Sequence, residues 1–234
     1  MAARFQLISF KLCPFVQRSV ITLLHKGIDF ETTFIELSDP PPWFAALSPL
    51  GKVPVLRVDG ETTVFESAVI NEYLDEVTPG QLLPEDPLLR ARARAWIEFG
   101  AACLWHCFEI TMAETAAKLD EVYAALAQKL THLEGSLDAG PYFEGETFSL
   151  VDAAYAPLFM RLAYFAEVTA IHSTADFPKV SRWSVALLAE PAVQASVVPE
   201  FRELMEAHIR KRRGHLAGLM PGGADDGEGE RQIY

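Results

Sequence analysis

Cys13 stands where a strand pattern gives way to a helical one. Phe5-Gln6-Leu7-Ile8-Ser9-Phe10 is a short apolar run that reads as a strand. After Pro14 the apolar residues fall at helical spacing, at Phe15, Val16, Val20, Leu23 and Leu24. Pro14 suits the first helical position, where its missing N–H costs nothing. The free N–H groups of the helix start and the positive end of its dipole then point toward the sulfur. This placement predicts a lowered thiol pKa and a share of thiolate near neutral pH, which makes Cys13 a nucleophile. The alternative is a buried structural cysteine that packs as a small hydrophobe. A dithiol redox site would read Cys-x-x-Cys, but Val16 occupies the fourth place. Cys13 therefore lacks a neighbouring resolving thiol, and a mixed disulfide on it needs an external thiol for release.

Two other groups of residues could carry chemistry. Cys103, Leu104, Trp105, His106, Cys107 and Phe108 lie together in a helical stretch, with Cys103 and Cys107 on one face. A metal site lacks acidic ligands there, so a pocket wall or core is expected and no metal. Ser149-Leu150-Val151-Asp152 reads as a capping box, with Ser149 at the N-cap and Asp152 at the third helical position. Its role is in folding, and loss of Asp152 is expected to cost about 1 kcal/mol, the usual worth of a cap.

The elements that must position Cys13 follow from the pattern. A strand over 4–10, a helix over 14–26 closed by Gly27, and a second strand over 30–37 make a βαβ unit with parallel pairing. Pro40-Pro41-Pro42 breaks the chain, and a turn or two of helix follows at Trp43-Phe44-Ala45-Ala46-Leu47. Val55 to Val58 and Thr62 to Phe65 flank the Asp59-Gly60 hairpin turn. Ser67 is the expected N-cap of a helix over 68–76. Beyond the Pro- and Gly-rich linker the pattern is helical: about 88–117 with Gly100 as a bend, 119–137, 150–165, 178–188 and 199–211. The expected organisation is a sheet domain over 1–78, a linker over 79–87, a helical domain over 88–220 and a disordered, acidic, glycine-rich tail over 221–234.

Half of the 234 residues are hydrophobic, enough for a sizeable core, and no apolar run reaches membrane-spanning length. Three cysteines do not make a disulfide framework, which fits a reducing, cytoplasmic setting. A net charge of −12 disfavours nucleic acid and anionic membranes as partners. The basic run Arg210-Lys211-Arg212-Arg213 fits the end of a helix, where the dipole favours it.

A β-α-β-α-β-β-α module with a thiol at its first helix resembles the thioredoxin fold. With the helical half and the Leu-Leu-Pro-x-Asp-Pro linker, the chain up to about residue 212 resembles a cytosolic glutathione transferase. Cys-Pro-Phe-x-x-Arg at 13–18, Trp43-Phe44, Val53-Pro54-Val55-Leu56 and Glu66-Ser67-Ala68 resemble the omega class most. Gly51-Lys52-Val53-Pro54 with Cys13-Pro14-Phe15 is also similar to the plant dehydroascorbate reductases. The resemblance implies an α/β thioredoxin-like domain followed by an all-α domain. It implies that Val53 offers its backbone N–H and C=O to glutathione as an added strand would, before a cis bond to Pro54. Glu66 and Ser67 would take the γ-glutamyl end, where a helix start suits a carboxylate and Glu66 an ammonium. Phe15 would pack beside the site and Lys52 would pair with the glycine carboxylate. The omega pattern has a further lysine before the tryptophan loop, and Pro40-Pro41-Pro42 stands in its place here. Leu104, Trp105 and Phe108 would wall the second-substrate pocket. The implied activity is glutathione-dependent thiol transfer or reduction of a small oxidised or electrophilic substrate, with glutathione as co-substrate and a homodimer as the assembly. Conjugating or dehalogenating turnover with the same thiol, or a regulatory protein that keeps the fold, are the alternatives.

Overall fold

In a computed structural model, residues 4–169, 174 and 176–222 are described. Strand β1 (Phe5–Ser9), helix α1 (Pro14–His25) and strand β2 (Phe30–Phe34) form the expected βαβ unit. Their strands pair in parallel, Phe5 opposite Phe30 and Ser9 opposite Phe34. Strands β3 (Val55–Val58) and β4 (Thr62–Phe65) complete a mixed sheet of order β2-β1-β3-β4, with both later pairings antiparallel. Helix α2 (Ser67–Val77) packs with α1 over this sheet. Leu7, Ile8, Val55, Leu56, Ile70 and Leu74 are buried in the resulting core.

The helical half holds α3 (Pro87–Met112), α4 (Ala116–Ser136), α5 (Leu150–Thr169), α6 (Pro178–Ala189), α7 (Pro191–Gln194), α8 (Phe201–Arg212) and α9 (His215–Leu219). Several expectations shift. The second strand stops at Phe34, three residues early, although Ile35 N–H still donates to Ser9 C=O at 2.8 Å. The turn at the prolines is a 3-10 helix over Pro42–Ala46. Ser67 is the first helical residue of α2, and its N-cap is Glu66, in an uncommon backbone conformation with φ of 69°. Helix α3 ends at Met112, and Thr115 opens α4 by accepting from Lys118 N–H at 3.2 Å. Gly100 sits inside unbroken α3, where a Cβ would come within 2.8 Å of the Tyr155 ring. Its small size thus admits the ring, whose hydroxyl donates to Trp96 C=O at 3.0 Å. The short helices α7 and α9 were outside the sequence pattern. Among the described residues no helix is long and apolar enough to cross a membrane. Residues 223–234, most of the acidic tail, lie outside the described residues.

Two local devices join the halves. Asp75, buried on α2, pairs with Lys26 at 2.8 Å and accepts from the N–H groups of Leu82 and Leu83 at 2.8 and 3.0 Å. This fixes the linker to the sheet half. Helix α1 then packs on α5: Arg18 Nε donates to Ala154 C=O at 3.0 Å, and Ile21 joins the helical core.

Asp152 is the centre of the helical core. Its Oδ2 accepts from Ser149 N–H and Oγ–H at 2.8 and 2.6 Å, the expected box. Its Oδ1 accepts from Phe143 N–H at 2.9 Å and Trp183 Nε1–H at 2.7 Å. Asp152 therefore ties α5, the preceding turn and α6 together, more than a cap does. Asp152→Ala leaves three buried N–H groups unpaired, each costing about 1–3 kcal/mol. We expect a loss of about 3 kcal/mol or more in denaturant unfolding, with glutathione affinity of the folded fraction unchanged. A loss near 1 kcal/mol would reduce Asp152 to a simple cap.

Candidate active site

Strand β1 delivers the chain to Leu12, and Cys13 is the N-cap of α1 with Pro14 at its first position. The turn is closed by Cys13 N–H donating to Phe10 C=O at 3.0 Å. Cys13 is half-buried, and its Sγ donates to Val53 C=O at 3.8 Å. Val53 is held in turn by its own loop. Ser48 Oγ donates to Lys52 C=O at 2.8 Å and accepts from Lys52 N–H at 2.9 Å, and the Val53–Pro54 bond is cis.

Cys13 opens onto two cavities of about 320 Å³ each and onto a smaller one of about 170 Å³ beside Gln17 and Ser196. The first is lined by Phe15, Lys52, Val53, Pro54, Glu66 and Ser67, together with Leu50 and Trp105. It thus brings together every residue that the sequence pointed to for the tripeptide. Ser67 is buried at the start of α2, while Glu66 and Lys52 are exposed at the rim. The second cavity is mostly apolar and is lined by Pro14, Phe15, Leu104, Trp105, Phe108 and Phe165, among others. Leu37 and Trp105 border both cavities.

The electrostatics of the thiol differ from the sequence expectation. Burial pushes the Cys13 thiol up from its ordinary pKa. The backbone N–H groups of Val16 and Phe15 and the charges of Arg161 and Arg18 pull it down without overturning that effect. The helix start does act on the sulfur, but desolvation of the anion outweighs it. Burial also lowers Arg18 and Arg161 to about 10, which leaves both charged at neutral pH. Arg161 donates from Nη1 to Gln17 Oε1 at 2.8 Å and to Pro157 C=O at 2.9 Å, and from Nη2 to Leu12 C=O at 2.8 Å. Gln17 also donates to Ser196 Oγ at 3.0 Å.

Cys103 and Cys107 are buried on α3, and burial raises both thiols to about 12. His106 Nδ1 is paired with Glu109 at 2.7 Å. These residues are packing, although Cys107 reaches the wall of the second cavity. Sequence patterns alone missed Arg161, Thr111, Met205, His208 and Arg212, all of which line that cavity. The only signals were a charge inside the apolar α5 pattern and the basic end of α8.

Residues 12–77 match the family described as glutathione S-transferase, N-terminal domain, and residues 116–186 the corresponding C-terminal domain. The chain is 33% identical to glutathione S-transferase omega-1 of Sus scrofa over 190 residues, 80% of this chain and 78% of that one. The crystal structure of glutathione transferase Omega 3C from Trametes versicolor superposes with a TM-score of 0.75 at 28% identity, covering 84% of this chain and 90% of that one. Rice GST1, solved in complex with glutathione, shares the fold with a TM-score of 0.80 at 24% identity, covering 90% and 98%.

The raised thiol has a direct readout. The rate of Cys13 alkylation by iodoacetamide in the ligand-free protein should rise with pH through an inflection above about 8.5, the value of an unperturbed thiol. Cys103→Ala and Cys107→Ala variants isolate the signal. An inflection below that value would restore the helix start as the dominant influence.

Proposed function

The chain belongs to the glutathione S-transferase family, as a transferase related to the omega class, and we propose that Cys13 is its nucleophile in glutathione-dependent thiol transfer. The observation that carries this is the position of Cys13, on the two larger cavities at once and with its Sγ next to the Val53 carbonyl. Glutathione would lie in the first cavity along the Val53 backbone, with its γ-glutamyl end at Glu66 and Ser67 and its glycine carboxylate at Lys52. Occupation of the Val53 carbonyl by the tripeptide would remove the acceptor that favours the protonated thiol, and so favour the thiolate.

The chemistry balances without a second protein thiol. The Cys13 thiolate attacks the glutathionyl sulfur of a mixed disulfide, and the other sulfur leaves with the bonding pair as a thiolate. A second glutathione thiolate attacks the glutathionyl sulfur on Cys13, which releases oxidised glutathione and restores the Cys13 thiolate. Val16 in the fourth place and the raised Cys103 and Cys107 thiols leave this external resolution as the route. A reducing, cytoplasmic setting supplies the glutathione that it consumes.

Cys13→Ser should abolish reduction of hydroxyethyl disulfide while glutathione affinity by calorimetry stays within about threefold. A serine hydroxyl starts too high to ionise there and is a poor leaving group in exchange. Weak conjugation of chlorodinitrobenzene by the variant fits the same geometry, with the hydroxyl bonding to glutathione's own thiolate. Undiminished disulfide reduction by the variant would remove Cys13 from the chemistry.

The assembly proposed is a homodimer. Val69 and Val77 are exposed on α2, at 54 and 37%, and a half this small cannot cover its own apolar faces. Sedimentation should give twice the 25.9 kDa of one chain. A single-chain mass throughout the micromolar range would overturn this.

A further inference from the structure

We propose that the apolar cavity beside Cys13 takes an aryl group bearing a carboxylate, and that Arg212 at its mouth pairs with that anion. The turnover consequence rests on Cys13 as nucleophile, whereas the binding consequence does not. The walls are aromatic and aliphatic, from Leu104, Trp105, Phe108, Phe165 and Met205. Trp105 and Phe108 lie with ring centroids 5.3 Å apart and planes tilted by 36°, a shelf on which a further ring can stack. The Arg212 guanidinium sits over the Phe108 ring at 5.4 Å, so the cation adjoins the shelf.

The charge on this cavity is one-sided. In a chain of net charge −12, no Asp or Glu among the described residues lines it, while Arg161, Arg212 and His208 do. The donors of Arg161 are already engaged by Leu12, Gln17 and Pro157. His208 is held toward neutrality, first by burial and then by the charges of Arg212 and Lys211. Nearby arginines are spoken for: Arg210 pairs with Glu206 at 2.8 Å, and Arg202 pairs with Glu167 at 2.5 Å. Arg212 has no carboxylate partner among the described residues. A planar guanidinium with free donors matches a carboxylate with two parallel hydrogen bonds. An aryl carboxylate would thus place its ring on the Trp105–Phe108 shelf and its anion at Arg212, with its reacting sulfur toward Cys13.

The test has two arms, both run at low salt because Arg212 is exposed and screening weakens such pairs. In the first, biphenyl-4-carboxylate and biphenyl-4-carboxamide are bound by calorimetry. Wild type should prefer the carboxylate by about fivefold or more, and Arg212→Gln should bind the two alike. In the second, glutathione mixed disulfides of 5-thio-2-nitrobenzoate and of 4-nitrothiophenol are reduced, each rate divided by its uncatalysed rate with glutathione. The carboxylate substrate should show the lower KM in wild type, and Arg212→Gln should erase that difference. Equal binding of carboxylate and carboxamide by wild type overturns the proposal, as does a preference that survives Arg212→Gln. Carboxylate preference without reduction of either disulfide supports the anion site and instead refutes Cys13 as the thiol-transfer nucleophile.

Discussion

Arg161 reaches from α5 to the carbonyl of Leu12, the residue before the thiol, and the geometry of the cleft depends on that bond. Helix α1 belongs to both halves of the protein. Its Leu23 and Val16 face the sheet core, while Ile21 joins the helical core. The contact of α1 with α5 and with the turn after α7 is polar where it nears the sulfur: Arg18 donates to Ala154, Arg161 to Gln17, and Gln17 to Ser196. Directional bonds of this kind fix the angle and depth at which the α1 N-terminus meets the helical half, which apolar contact alone leaves looser. The two cavities share Cys13 because that joint holds the strand end and the pocket wall in one position.

The same burial that makes the joint rigid sets the protonation of the thiol. A helix N-terminus and two guanidiniums favour the anion, and a solvent-poor setting disfavours it more. The sequence announces the first influence through Pro14 at the helix start. It cannot announce the second, because desolvation depends on what the helical half places over the sulfur more than a hundred residues later.

That division describes the legibility of the whole molecule. Local devices were readable: the βαβ order, the Asp59-Gly60 turn, the box at Ser149 and Asp152, and the thiol at the strand-to-helix change. The residues expected at the tripeptide cavity were reachable because they sit in short motifs, and the fold brings them together. What escaped were features set by distant partners. Asp152 looked like a cap because its bonds to Phe143 N–H and to Trp183 on α6 are tertiary. Ser67 looked like an N-cap because its type suits one, but Glu66 takes that place in a left-handed conformation that side chains rarely adopt. Gly100 looked like a bend, and its lack of a side chain instead makes room for Tyr155. Arg212 looked like a helix-end charge, which it also is. Only the packing of α8 against α3 shows that it caps the aromatic shelf.

The two arginines of the joint carry a further consequence. A charged guanidinium that is nearly enclosed costs several kcal/mol of desolvation unless an anion accompanies it. Among the described residues, Arg161 has only neutral acceptors, two carbonyls and a carboxamide, and Arg18 has one carbonyl, with its Nη2 left without a partner. Apolar side chains of similar volume would fill these places with less strain on stability. Neutral acceptors bond these guanidiniums without cancelling their charge, so the field of both cations extends to the sulfur, where it opposes the desolvation of a thiolate. The joint thus gives up stability to hold positive charge beside a buried nucleophile, and a carboxylate in either place would secure the fold and lose that field.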